Sequence, residues 1–187
     1  MIRVRFILLL ILLGTFLNGH AAEIGGVHMP DLLDTEQGVL MLNGAGIRTR
    51  FSLNVYVGGL YLRQKHINPE EIIAANEPMA IRLQVVYAMI TAGIMAQATR
   101  EGFSKATGGN ITPIQPEIET FITVFSDKIN KNDVYDLIYI PAKGVTTYKN
   151  KKPYTVTKGL PFKQALFGIW LCDNPVQQSL KKAMLGR

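Results

Sequence analysis

A single cysteine, Cys172, stands in a chain of 187 residues, so no internal disulfide can form and packing alone must hold the fold. Histidine is nearly as scarce, with only His20, His28 and His66. A metal centre needs three or four convergent ligands, and two isolated loop histidines after position 20 do not supply them. The chain contains no G-x-S-x-G, no H-E-x-x-H and no Cys-x-x-Cys, which removes the nucleophile elbow, the helical zinc motif and the dithiol motif. Gly44 and Gly46 begin a G-x-G-x-x-G pattern, but its third position is Thr49 and no βαβ unit follows. The dinucleotide reading is therefore rejected and no cofactor is expected. Internal repeats and low-complexity segments are absent too.

What the amino terminus does contain is the secretory order: basic Arg3 and Arg5, an apolar run from Phe6 to Leu17, then Gly19 and Ala21 at the small-residue positions of a cleavage site. That run falls short of the roughly 20 residues a membrane span requires, and no later run approaches it. We expect a cleavable signal peptide over 1–21, with an uncleaved anchor as the alternative, and one domain over 22–187. Loss of Arg3 and Arg5 lowers the formal charge from +6 to +4, a mild balance that does not read as nucleic-acid binding. Export without disulfides fits a bacterial periplasm.

Along the domain, Gly25, Gly26 and Pro30 predict an irregular start, and Asn43, Gly44, Ala45 and Gly46 a turn. One extended stretch is expected from Ile47 to Leu62, rich in β-formers such as Val55, Tyr56 and Val57. Asn68, Pro69 and Glu71 predict a capped helix start. Met79 to Tyr87 alternates with the two-residue period of a strand. Thr91 opens a second helix with Ile94, Met95 and Ala98 on one side, closing near Gly108 and Gly109. Thr112, Pro113 and Gln115 predict a capping box for a third, whose Ile114, Ile118, Phe121, Ile122 and Phe125 share a face. Strands follow at Val134 to Ile140, Val145 to Tyr148 and Tyr154 to Thr157. Two helices close the chain, one carrying Phe162, Leu166, Ile169 and Trp170, the other starting at Asn174 and Pro175. Strands in two groups with helices between and after them give the α+β class, an antiparallel sheet covered by helices.

Most individual features have ordinary explanations. His28 and His66 read as exposed loop residues, Cys172 and Trp170 as core. Lys149, Lys151 and Lys152 read as a solvated hairpin turn, with a weak contact to an anionic membrane surface as the alternative. Arg48 is different, because it enters a long apolar strand region where a guanidinium needs an anion or water. Tyr56, further along, could add a phenolic donor, making a carboxylate or enolate clamp. The alternative is an exposed strand arginine and a core ring. Eight extended residues span about 26 Å, so the two can meet only if the chain turns between them.

These residues carry a resemblance. Leu42-Asn-Gly-Ala-Gly-Ile-Arg-Thr49, Asn54-Val-Tyr-Val-Gly-Gly-Leu-Tyr-Leu62, and Ala165-Leu-Phe-Gly-Ile-Trp-Leu171 leading to Asn174-Pro-Val176 resemble the chalcone isomerase family, in particular its bacterial exported chalcone isomerase-like branch. The resemblance implies an open-faced β-sandwich, a large antiparallel sheet with helices on one side and a ligand cleft between. That family holds both isomerases that close a flavanone ring and relatives that bind fatty acids without chemistry. Arg48 matches the arginine that steadies the enolate in the former. Tyr56 falls where the isomerases place a threonine and resembles the fatty-acid-binding branch, where it and the arginine hold the carboxylate. The tyrosine and asparagine that isomerases carry seven residues apart pair with Ile94 and Glu101, so neither is kept. Asn54 and Tyr87 are further cleft candidates. The resemblance thus implies a periplasmic binder of a small amphipathic acid or fatty acid, with Arg48 and Tyr56 as ligand residues. An isomerase acting on an enone through Arg48 is the rival.

Overall fold

The computed structural model describes residues 22–187; the expected signal segment lies outside them. The first elements are three short strands, β1 (Ala22–Ile24), β2 (Val27–Met29) and β3 (Leu32–Thr35). The long pair β4 (Gly38–Arg50) and β5 (Leu53–Leu62) follows, then helix α1 (Pro69–Ala74), β6 (Met79–Val85) and helix α2 (Ala92–Ala106). Helix α3 (Gln115–Ile122) leads to β7 (Val134–Ile140), β8 (Gly144–Lys149) and β9 (Lys152–Thr157), and α4 (Leu160–Leu171) and α5 (Gln178–Met184) end the chain.

Strands β3 to β9 pair in sequence order as one seven-stranded antiparallel sheet, with α1, α2 and α3 inserted between neighbouring strands. Side-chain alternation decides the layers. Along β5, Tyr56, Leu60 and Leu62 enter the core under the helices, while Val57 and Tyr61 enter a smaller core on the outer face with Val27 and Met29 of the β1–β2 hairpin. The α+β open-faced architecture expected from the sequence is the one observed.

Several local expectations are corrected. Gly25 and Gly26, both at positive φ, form a tight turn between paired strands rather than an irregular start. Asn43 to Gly46 make no turn, because β4 continues through them, with Asn43 the extra residue where its register against β5 shifts. Their glycines serve close packing instead: a Cβ at Gly44 would collide with the Ala183 carbonyl of α5, and one at Gly46 would lie 2.7 Å from the Ala183 methyl. Asn43 is buried, with Nδ2 donating to the carbonyls of His66 and Met184, both at 2.9 Å, and Oδ1 accepting from His66 N at 2.8 Å. It fastens α5 to the sheet.

The chain from Ile47 to Leu62 is not one strand. It reverses at Phe51 and Ser52, both in the left-handed region at φ 48° and 63°. Thr112 does not cap α3 but sits inside a 3₁₀ turn, Thr112–Ile114, that precedes it. The last helix begins at Gln178, not at Asn174. Asn68 does cap α1, accepting from Glu70 N and Glu71 N while Glu71 reaches back to its amide at 2.7 Å.

Candidate functional site

The reversal at Phe51 and Ser52 brings Arg48 on β4 opposite Tyr56 on β5. The register shifts just beyond, with Thr49 opposite Asn54, so Val55 is the extra residue of a β-bulge. The bulge turns Val55 towards the helices beside Tyr56 and leaves Asn54 exposed. Asn54 is thus corrected as a cleft candidate: Leu53, Val55 and Tyr56 line the cleft and it does not.

The cleft has a volume of about 420 Å³ and lies between the sheet and helices α2 and α4, within the usual size of a small-molecule site. Its walls are mostly apolar, with Leu83, Met95, Phe121, Phe125, Leu137 and Ile169 inside. Tyr87, from the segment after β6, also lines it. Ile94 and Glu101, the positions paired with the isomerase tyrosine and asparagine, both face it from α2. One of these is apolar and the other acidic, so neither reproduces the phenol or amide donor of the isomerases.

Two polar groups not expected from the sequence hold Tyr56 and Arg48 in place. Trp170 Nε1 of α4 donates to Tyr56 Oη at 2.9 Å in a buried bond. The Tyr56 oxygen is therefore occupied as acceptor, leaving its proton to be donated elsewhere. Burial raises the Tyr56 pKa, and the Trp170 hydrogen bond and the charge of Arg48 only partly oppose it, so the phenol stays protonated. The other group is Gln177, just before α5. Its Oε1 accepts from Arg48 Nη1 at 3.1 Å and from Thr49 N at 2.9 Å, and its Nε2 donates to the Ile47 carbonyl at 3.0 Å. Arg48 Nη1 also reaches the Thr49 carbonyl at 2.8 Å. Among the described residues only Nη1 of Arg48 is engaged, so Nε and Nη2 remain as donors for an anion.

Sequence reasoning placed Trp170 as a core ring, which it also is; its indole N–H was the available sign of a second role. Gln177 carried no signal, since its partner lies 130 residues away.

The remaining polar features belong to the scaffold. Lys163, which the sequence reading passed over, is fully buried on α4 and donates to the carbonyls of Ile72, Ile73 and Ala75 at 3.0, 2.9 and 2.7 Å. It closes the carboxyl end of α1, and burial pushes its pKa down to about 8 against a small opposing effect of Glu77. Lys149 donates to the Lys128 carbonyl and faces Asp133 at 3.6 Å, while Lys151 and Lys152 are exposed at the hairpin. His28 is exposed on β2, and half-exposed His66 accepts from Asn68 N and faces Glu71. Cys172 is only half-buried, a correction to the core expectation, because α4 ends there and the chain turns outward. On the outer face a second groove of about 550 Å³ includes Arg82 and Asp136, which satisfy each other at 2.6 and 2.9 Å.

Comparison with known proteins agrees with this fold. The structure resembles the crystal structure of a fatty-acid binding protein from Arabidopsis thaliana with a TM-score of 0.66, covering 86% of this chain and 92% of the other at 18% identity. No curated protein matches the sequence. A family model described as chalcone isomerase-like matches residues 21–186, nearly the whole described fold. The chain therefore belongs to the chalcone isomerase-like family.

Proposed function

We propose that this protein binds a small amphipathic acid, a fatty acid being the favoured class, and does not transform it. The observation that carries this reading is the pairing of Arg48 with Tyr56 on the wall of an otherwise apolar cleft. A carboxylate set there would take Nε and Nη2 of Arg48 and the proton of Tyr56, and the chain would lie against Met95, Leu137 and Phe125. The placement of Ile94 and Glu101 supports binding over enone chemistry, because neither supplies the phenol or amide donor that the isomerases carry at those two positions. The description of the Arabidopsis neighbour as a fatty-acid binding protein supports the ligand class. Export through residues 1–21 would put the cleft in the periplasm, where lipid acids are at hand.

The test is titration of delipidated protein with a fatty acid and with its methyl ester. Charge-assisted hydrogen bonds contribute about 1.5–3 kcal/mol each, so Arg48→Ala is expected to weaken binding of the acid by about tenfold or more. The ester is expected to bind wild type and variant alike. Equal affinity of both proteins for the acid would overturn the clamp, and mass spectrometry of co-purifying molecules gives an independent check.

A further inference from the structure

The mouth of the cleft is more apolar than a solvated rim requires. Phe51 is 85% exposed and Met89 71%, and both line the cleft as well as its opening, with Leu53 and Ile94 beside them. Phe51 occupies the left-handed position of the β4–β5 turn, where turn chemistry favours glycine or asparagine. A bulky ring in such a position, held out into water, is the kind of local outlier that points to function. Met89, from the segment between β6 and α2, lines the same cleft, so two separate parts of the chain present exposed apolar side chains to it. The charged side chains lining the cleft are Arg48, Arg50, Glu101 and Lys105, and the Arg50 guanidinium stacks 5.4 Å from the Phe51 ring centre.

We infer that this edge is a docking surface for a lipid bilayer with anionic headgroups. Phe51 and Met89 would enter the interfacial region while Arg50 and Lys105 meet the headgroup charge. The basic side chains decide the occupant. Arg48, Arg50 and Lys105 against Glu101 leave the lining net positive, so an identical surface would repel it whereas an anionic bilayer complements it. Docking in this way opens the cleft directly onto lipid, so that an acyl chain passes from membrane to protein without crossing water. The docking surface is made by the rim residues; its purpose rests on the acid-binding reading.

The experiment is co-sedimentation with unilamellar vesicles of phosphatidylglycerol and phosphatidylcholine, and with phosphatidylcholine alone. The protein is expected to partition onto the anionic vesicles, and the double variant Phe51→Ser with Met89→Ser to lose at least about tenfold in partitioning. Arg50→Glu with Lys105→Glu is expected to abolish the preference for anionic lipid. Phe51→Trp provides a check that does not depend on removing apolar groups, since its added fluorescence should shift to the blue on vesicles. No partitioning of wild type, or equal partitioning of the serine variant, overturns the inference. So does a concentration-dependent dimer that ignores vesicles and is lost in the serine variant, which would assign the surface to a second copy. Partitioning without acid affinity would refute the acid reading alone, and acid affinity without partitioning would refute this one alone.

Discussion

Arg48 and Tyr56 are direct cross-strand partners, eight residues apart in sequence yet facing each other across the β4–β5 hairpin. Because Trp170 holds the Tyr56 oxygen at 2.9 Å and Gln177 holds Arg48 Nη1 at 3.1 Å, neither side chain has to search for its position when a ligand arrives. Preorganisation of this kind lowers the ordering cost of binding.

Tyr56→Phe tests the phenol separately from the charge. It removes one ligand donor and leaves the Trp170 N–H without its acceptor in a buried site, a loss of about 1–3 kcal/mol. We expect a lower unfolding temperature together with weaker acid binding. Combined with Arg48→Ala the binding losses should fall short of additive, since both groups would address one carboxylate. Full additivity in a calorimetric double-mutant cycle would show that they act on different parts of the ligand.

The two glycines of β4 separate backbone from side-chain crowding. Gly46→Ala would bring its methyl 2.7 Å from the Ala183 methyl, whereas Gly44→Ala would strike the Ala183 carbonyl itself. Both should destabilise, by about 1–3 kcal/mol for overpacking and more where backbone must move. Adding Ala183→Gly should rescue Gly46→Ala and not Gly44→Ala in thermal unfolding. Rescue of both, or of neither, would mean that α5 is seated differently.

Lys163 predicts a pH dependence. Its three carbonyl partners favour the ammonium, but burial opposes it more strongly and brings the folded pKa to about 8. An unfolded lysine titrates near 10.4, so between those values the unfolded state holds more protons than the folded one. Stability contributed by this site should therefore rise with pH across that window and stay level below it. Lys163→Met leaves the carbonyls at the end of α1 unpaired and should destabilise at neutral pH, while abolishing the rise. Denaturant melts of both proteins from pH 7 to 10 check this; parallel pH profiles would contradict it.

How much of this was legible depended on distance along the chain. The cap of α1 needed only Asn68, Pro69 and Glu71, and the layer assignment of β6 only its alternation; both were readable. Gly44 and Gly46 were misread as a turn because their real constraint, the close approach of Ala183, comes from about 140 residues away. The condition for Arg48 and Tyr56 to meet was readable, but the turn that meets it falls on Phe51 and Ser52, which carry no turn signature. The β-bulge beside them, which removed Asn54 from the cleft, was invisible for the same reason. Lys163 hid inside an apolar helix pattern, where a charged residue normally marks the solvated face.

Ala98 lies on α2, four residues after Ile94, and lines the cleft together with Arg48, Phe121 and Phe125. Replacing it with phenylalanine fills space that a chain would occupy without touching the clamp. If the carboxylate sits at Arg48 and the tail runs inward, Ala98→Phe should weaken long-chain acids far more than short ones, since each methylene denied burial forfeits about 0.8 kcal/mol. The difference is measured by titrating a series of saturated acids against both proteins. No loss at any chain length would instead place the tail outside the cleft, along the exposed side chains of Phe51 and Met89.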